Sequence, residues 1–170
     1  MATVQEQVEE SLEASRLRGS SLIVAVSGGS DSLTLLHCLR SLQTSMNLRL
    51  HVVHVDHGLR PTSYHDGAFV QQIARALGLS CTVVSVSVGN GSPEAAARDA
   101  RYGALAKVAT DQHADAIAVG HTLNDQAETV LLHIVRGSGL TGLRAMSVFS
   151  DLSIDNGPES KIFRPLLGVS

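Results

Sequence analysis

The chain has few aromatic side chains: they make up 3% of its 170 residues, and tryptophan is absent. Its core must therefore be packed from Ala, Val, Leu and Ile. Cysteine is scarce too. Cys38 and Cys81 stand far apart with no C-x-x-C spacing, which argues against a disulfide scaffold and a cysteine zinc site and favours a reducing, cytoplasmic setting. No charge of one sign dominates. Thirteen basic against 16 acidic residues leave a formal net charge of -3, so bulk charge is not a means of gripping nucleic acid. Two lysines and eleven arginines are spread along the chain without a dense basic patch; any RNA binding by this chain alone is expected to be weak and salt-dependent. No apolar run reaches the length of a membrane span. The polar, acidic start (MATVQEQVEESLEASRLRG) is not a secretory signal, so the Asn90-Gly91-Ser92 sequon reads as a turn.

With 44% hydrophobic and 17% charged residues, the composition is that of a soluble globular chain of single-domain size. A helical pattern covers residues 4–17, with Gly19 marking its end. Apolar runs of strand length follow at 22–26, 48–55, 81–88 and 114–119. The first, second and fourth are nearly continuous and rich in β-branched residues, as strands buried on both faces should be. Helical stripes lie between them. Leu35, Leu36, Leu39 and Leu42 form one stripe; Phe69, Val70, Ile73, Ala74 and Leu77 form another, opened by the capping pattern Ser63-Tyr64-His65-Asp66 and closed by Gly78. Ser92-Pro93 reads as the start of a helix running to about Asp111, and residues 124–135 make a further one. Its later stripe (Ala127, Leu131, Ile134) is expected to face the sheet. Residues 150–160 read as an exposed loop, and 161–167 as one more strand. Strand and helix in alternation predict an α/β fold, a doubly wound parallel sheet with helices on both faces. In such sheets ligands bind at the carboxyl ends of the strands.

The first strand ends in Ser27-Gly28-Gly29-Ser30-Asp31-Ser32, and a helix begins at once. Two glycines let a ligand approach the main-chain N–H groups, and the helix N-terminus adds its positive dipole. This is a phosphate cradle. Asp31 within it would repel bare phosphate, which implies a divalent cation between the two. No Lys follows the glycines, so the turn is not a Walker A loop. Ala25-Val26-Ser27-Gly28-Gly29 loosely mimics a hydrolase nucleophile elbow, but the partners it would need, Asp125 and His133, sit on one helix rather than at separate strand ends.

A second cluster, His54-Val55-Asp56-His57, ends the second strand. A zinc site there would need another donor, for which His121 is placed; polar lining of a nucleotide cleft is the preferred reading. Arg98 and Arg101 are three apart on one helix face, suited to clamping phosphate. Gly120-His121-Thr122-Leu123-Asn124-Asp125 ends the fourth strand, and Asp125 would face Asp31 across the strand ends, where the pair would hold a cation. Helix-dipole stabilisation explains the sign of these acids but not the adjoining His121-Thr122. Finally, Gly137-Ser138-Gly139-Leu140-Thr141-Gly142 is a literal G-x-G-x-x-G that follows a helix, not a strand, so a dinucleotide fingerprint is excluded by context. It reads as a loop delivering backbone amides and Arg136 to the ligand.

The S-G-G-x-D-S turn resembles the hallmark of the PP-loop ATP pyrophosphatases. HVDHGLR, EAAARDARY, GHTLNDQAETVLLHIVRGSGLTGL and FRPLL follow in order, and from residue 22 to 167 the chain is similar to the tRNA(Ile)-lysidine synthetase family. Asn124 stands where many members carry Asp, which leaves Asp125 as the dependable acid. The resemblance implies a Rossmann-like PP-loop domain over residues 1–170, with a helix in 1–20 and the α/β core in 21–170, ahead of further family segments. It implies ATP bound by Ser27, Gly28, Gly29, Ser30, Asp31, Ser32, His54, Asp56, Thr122 and Gly137, with Mg²⁺ on Asp31 and Asp125. Catalytic roles fall on Asp31, Asp125, Arg101, Arg136 and His121. The implied substrates are tRNA(Ile) with a CAU anticodon and L-lysine; a homodimer is admitted, a membrane is not. Thiolating relatives rely on reactive cysteines, and Cys38 and Cys81 are not so placed. A non-catalytic ATP-binding module is the remaining alternative.

Overall fold

The computed structural model describes residues 2–56, 63–86, 93–135, 146–152 and 158–169; the side chains of residues 63–64 and 93–95 lie outside that description. In chain order the elements are α1 (Val4–Ala14), β1 (Ser21–Ala25), α2 (Ser30–Leu42), β2 (Arg49–Asp56), α3 (Ser63–Ala76), β3 (Ser80–Ser85), α4 (Pro93–Asp111), β4 (Ala116–Ala118), α5 (Leu123–Val135), β5 (Phe149–Leu152) and β6 (Ser160–Phe163). The strands form one sheet in the order β3-β2-β1-β4-β6-β5. All neighbours pair in parallel except β5, which runs antiparallel to β6 at the edge. Strand order runs outward from β1 through β2 to β3 on one side and from β4 to β6 on the other. The boundary between β1 and β4 is thus the switch point where a crevice opens above the strand ends.

Alternating strand residues feed two cores, as the side-chain period of two requires. Leu22, Val24, Val52, Ala118 and Phe163 point to one face, where they meet Leu35, Leu36 and Leu39 of α2, Val70 and Ala74 of α3, and Val8 and Leu12 of α1. Ile23, Val53, Ile117 and Ile162 point to the other and pack on Tyr102, Leu105, Ala106 and Ala109 of α4. Helices on both faces explain why β1, β2 and β4 read as unbroken apolar runs. The cores are aliphatic, with Phe163 the one aromatic among the largest fully buried side chains.

Helix ends follow from local chemistry. Thr3 and Glu6 form a reciprocal capping box at the start of α1. At its end, the N–H of Leu17 donates to the carbonyl of Leu12 and that of Arg16 to Glu13, a Schellman motif with Arg16 at φ 56° in the left-handed position. The helix therefore stops at Ala14 rather than continuing to 17. Gly78 plays the same part after α3 with φ 71°, and Asn47 and His113 do so after α2 and α4.

Three further expectations are corrected. Residues 150–152 are not exposed loop: they lie in β5, which pairs residue for residue with β6. The last strand stops at Phe163 and continues into a turn, Pro165 to Gly168. And the stripe of α5 does not face the sheet. No residue of α5 is buried, with Leu131 60% and Ile134 55% exposed and Ala127 exposed as well. Periodicity defines an apolar face but not what covers it.

Candidate functional site

The turn between β1 and α2 is held by its own small side chains. Gly28 has φ 94°, a left-handed conformation that favours glycine. Ser27 Oγ accepts from the Gly29 N–H at 3.4 Å, and Ser32 Oγ donates to the Gly29 carbonyl at 2.8 Å. The N-cap of α2 is Gly29, without a side-chain hydrogen bond to the helix. A turn built only to start a helix would use Ser30 or Asp31 as its cap. Here the first-turn amides, which have no intrahelical acceptor, stay open to an anion. Ser30 Oγ donates instead to Asp31 Oδ1 at 3.1 Å.

The turn between β4 and α5 is seated directly on this one. A Cβ on Gly120 would stand 3.0 Å from the carbonyl carbon of Asp31 and from the Ser32 nitrogen, so a side chain at 120 would displace the cradle. His121 follows, and its Nδ1 is buried with no hydrogen-bond partner. Burial pushes its pKa from 6.5 down to about 4; the positive charges of Arg164, Arg98 and Arg101 add to the shift and Asp125 opposes it. The imidazole is therefore neutral at physiological pH. Thr122 is buried, and both its N–H (2.7 Å) and its hydroxyl (3.1 Å) donate to Asp125 Oδ2. This fixes the carboxylate at the start of α5, where Asp125 lines the crevice.

These two turns, the end of β2 and one face of α4 enclose a cavity of about 500 Å³. Ser27, Gly29, Ser30, Asp31 and Ser32 line it, as do Asp125, Arg101, His121, His54 and Asp56. Val26, Val53, Tyr102, Leu105 and Val119 supply an apolar wall suited to a base or ribose. Two expected ligand residues take other places. Thr122 is absent from the wall and acts on Asp125, while Gly28 shapes the turn from behind. His54 does both jobs: its Nδ1 donates to the Val26 carbonyl at 2.8 Å, pinning the end of β2 to the cradle. Arg136 and Gly137 lie outside the described residues.

Sequence reasoning missed Gly120, Tyr102 and Arg164. Tyr102 is buried and stacks beneath Arg98 and Arg101, whose guanidinium carbons lie 5.0 and 5.2 Å from its ring centre. The adjacency in EAAARDARY was the available signal. Cys38 and Cys81 are free and do not line the cavity, and burial raises both thiols.

Among the described residues no three His, Cys, Asp or Glu side chains gather to hold a metal ion. Asp31 and Asp125 both reach the cavity, a donor set that fits Mg²⁺ carried by a polyphosphate, which takes one or two carboxylates and completes its shell with phosphate oxygens and water. No helix among the described residues is long and apolar enough to cross a membrane.

The profile of the PP-loop domain family matches residues 1–170. Among curated proteins, the chain is 45% identical over 158 residues to the tRNA(Ile)-lysidine synthase of Symbiobacterium thermophilum, covering 89% of this chain and 32% of that one. It is 40% identical over 156 residues to that of Dehalococcoides mccartyi, covering 88% and 33%. With the Thermobifida fusca enzyme it shares 48% over 131 residues, covering 76% and 40%. The chain thus spans about a third of the length of the first two relatives. Among solved structures it matches the U34-tRNA thiolase NcsA from Methanococcus maripaludis, determined with its 4Fe-4S cluster, at TM-score 0.81 and 19% identity, covering 98% of this chain and 59% of that one. At that identity the likeness speaks to the fold.

Proposed function

The chain belongs to the PP-loop domain family, and on that premise we propose that it is the ATP-activating part of a tRNA(Ile)-lysidine synthetase. The observation that carries this reading is the alignment with lysidine synthases at 40–48% identity over 76–89% of the chain, together with a crevice whose lining holds Asp31, Arg101, His121 and Asp125. A thiolase reading finds no support in the site: neither cysteine lines the crevice, and burial keeps both thiols protonated.

In the proposed reaction ATP lies over the ends of β1 and β4, with its pyrophosphate on the first-turn amides of α2. The C2 oxygen of cytidine-34 in the CAU anticodon attacks the α-phosphorus, and the bond to pyrophosphate breaks. Arg101 and Arg136 stabilise the charge on the transferring phosphate. The lysine ε-amine then attacks C2, the C2–O bond breaks and AMP leaves. The amine sheds a proton in this step, and Asp125, which lines the crevice, orients it. Neutral His121 walls the pocket without adding charge. Asp31 and Asp125 would also hold Mg²⁺, whose contribution when bound is to neutralise the triphosphate. A cytoplasmic enzyme, with a homodimer as the assembly to be tested, completes the proposal.

Exchange of labelled pyrophosphate into ATP tests it. The full-length protein should catalyse exchange that depends on tRNA(Ile), and Asp31→Asn should lower the rate at least about 100-fold, the scale of a lost electrostatic contact in the transition state. Absence of exchange in the intact protein, with Asp31→Asn binding ATP as the wild type does, would falsify the reading.

A further inference from the structure

Arg164 is a buried cation with no counter-ion among the described residues. It is 8% exposed, and its Nη1 donates to the Ser147 carbonyl at 3.0 Å and to Ser150 Oγ at 2.9 Å. Among the described residues its Nε has no hydrogen-bond partner, and Nη2 donates to none. The ion pair of Arg18 with Glu13 lies elsewhere on the surface. A guanidinium taken out of water and left unpaired is strongly disfavoured.

The neighbours deepen the imbalance. Arg164 follows β6, beside β4, and its charge acts on His121 in the crevice wall. Arg98 and Arg101 stack on Tyr102. Asp125 is the one carboxylate that acts on His121, and one of its oxygens is already held by Thr122. The positive charge of three guanidinium groups thus acts on His121, with the Nε–Nη2 edge of the buried one unused by the described residues. That edge presents two parallel N–H groups, the fork that a carboxylate accepts side-on.

We infer that Arg164, assisted by Arg98 beside His121, forms an oxyanion site adjoining the nucleotide crevice and takes the α-carboxylate of the amino-acid substrate. The inference rests on the function proposed above and narrows it. Within that reaction the triphosphate occupies the Ser27–Ser32 turn. RNA phosphodiesters are too bulky to reach a side chain more than nine-tenths buried. The amino-acid carboxylate is the small anion left, and a site for it separates a free amino acid from the polyamines that carry the same terminal amine.

Lysidine formation by the full-length protein tests this, using lysine, the neutral lysinamide and cadaverine as acceptors. With wild type, lysinamide and cadaverine should show KM values about 10- to 100-fold above that of lysine, the range expected for a lost charge-assisted hydrogen bond. Arg164→Gln should raise the lysine KM by a similar factor, abolish the preference over lysinamide, and leave the ATP KM within about twofold. Arg98→Gln, at an exposed position where folding is not at stake, should shift the lysine KM in the same direction by about threefold or more. Lysine and lysinamide used equally by wild type would overturn the inference, as would variants that raise the KM for ATP instead. If wild type joins no lysine at all, the proposed function fails first and this inference falls with it; if it joins lysine with unchanged KM in both variants, only this inference fails.

Discussion

Two helices bring an acid to the crevice, and they are anchored in opposite ways. α2 carries Asp31 in its first turn and buries Leu35, Leu36, Leu39 and Leu42 behind it. α5 carries Asp125 in its first turn and buries nothing; Leu131, Leu132, Ile134 and Val135 are 50–83% exposed. Among the described residues, what holds α5 is polar and local. Thr122 binds Asp125, the Leu123 N–H donates to the Val169 carbonyl, and Gln126 exchanges two hydrogen bonds with the backbone of Met146. Gly120 then presses this turn onto the Asp31 peptide. The Asp31 side is thus fixed by the core, while, among the described residues, the Asp125 side is held by these few hydrogen bonds. Local stability follows buried apolar contact, so the second side should be the more adjustable of the two.

That contrast can be broken most sharply by truncation. Leu36→Ala should cost about 2–5 kcal/mol in denaturant melts, as buried leucines do, whereas Leu131→Ala should stay within about 0.5 kcal/mol. Equal losses would mean that α5 is as deeply anchored as α2. Gly120→Ala comes next. Its methyl would stand 3.0 Å from backbone, so the two turns must give by a few tenths of an ångström, at a cost of about 1–3 kcal/mol. The kcat of lysidine formation should fall further than ATP affinity, and parallel losses in both would place the damage in the cradle alone.

The smallest effect concerns acid. His121 has a folded pKa of about 4 against an ordinary 6.5. The unfolded chain therefore binds the proton first, and the stability that this neutral ring contributes is complete above pH 6.5 and lost as pH falls towards 4. The loss should be on the order of 1–2 kcal/mol, allowing for partial solvent access, and His121→Asn should flatten it. A variant melting curve with the same acid slope would show that another group titrates there.

Much of this was legible in the residues. The unbroken apolar runs marked β1, β2 and β4 because burial on both faces leaves no polar alternation, and the Gly28-Gly29 turn announced its chemistry by composition. What was hidden depends on three-dimensional register. The segment around Ser150 is polar because β5 is an edge strand with one partner, so its pairing with β6 left no trace in hydropathy. The tie from His54 to the Val26 carbonyl exists only because parallel strands align their ends. Thr122 and Asp125 show the S/T-x-x-D spacing of a helix cap, a local signal overshadowed by the expectation of a ligand. Arg164 gave no warning: an arginine before proline reads as surface, and only the placement of β6 beside β4 buries it.

The central claim is that this crevice activates cytidine-34 for attack by lysine. The most direct measurement incubates the full-length protein with tRNA(Ile) bearing a CAU anticodon, ATP and isotopically labelled lysine, followed by mass analysis of the tRNA nucleosides. The account predicts labelled lysine joined to the cytidine at position 34, one AMP and one pyrophosphate per nucleoside formed, and no product with Asp31→Asn. An unmodified cytidine, or a modification at another nucleoside, would contradict it.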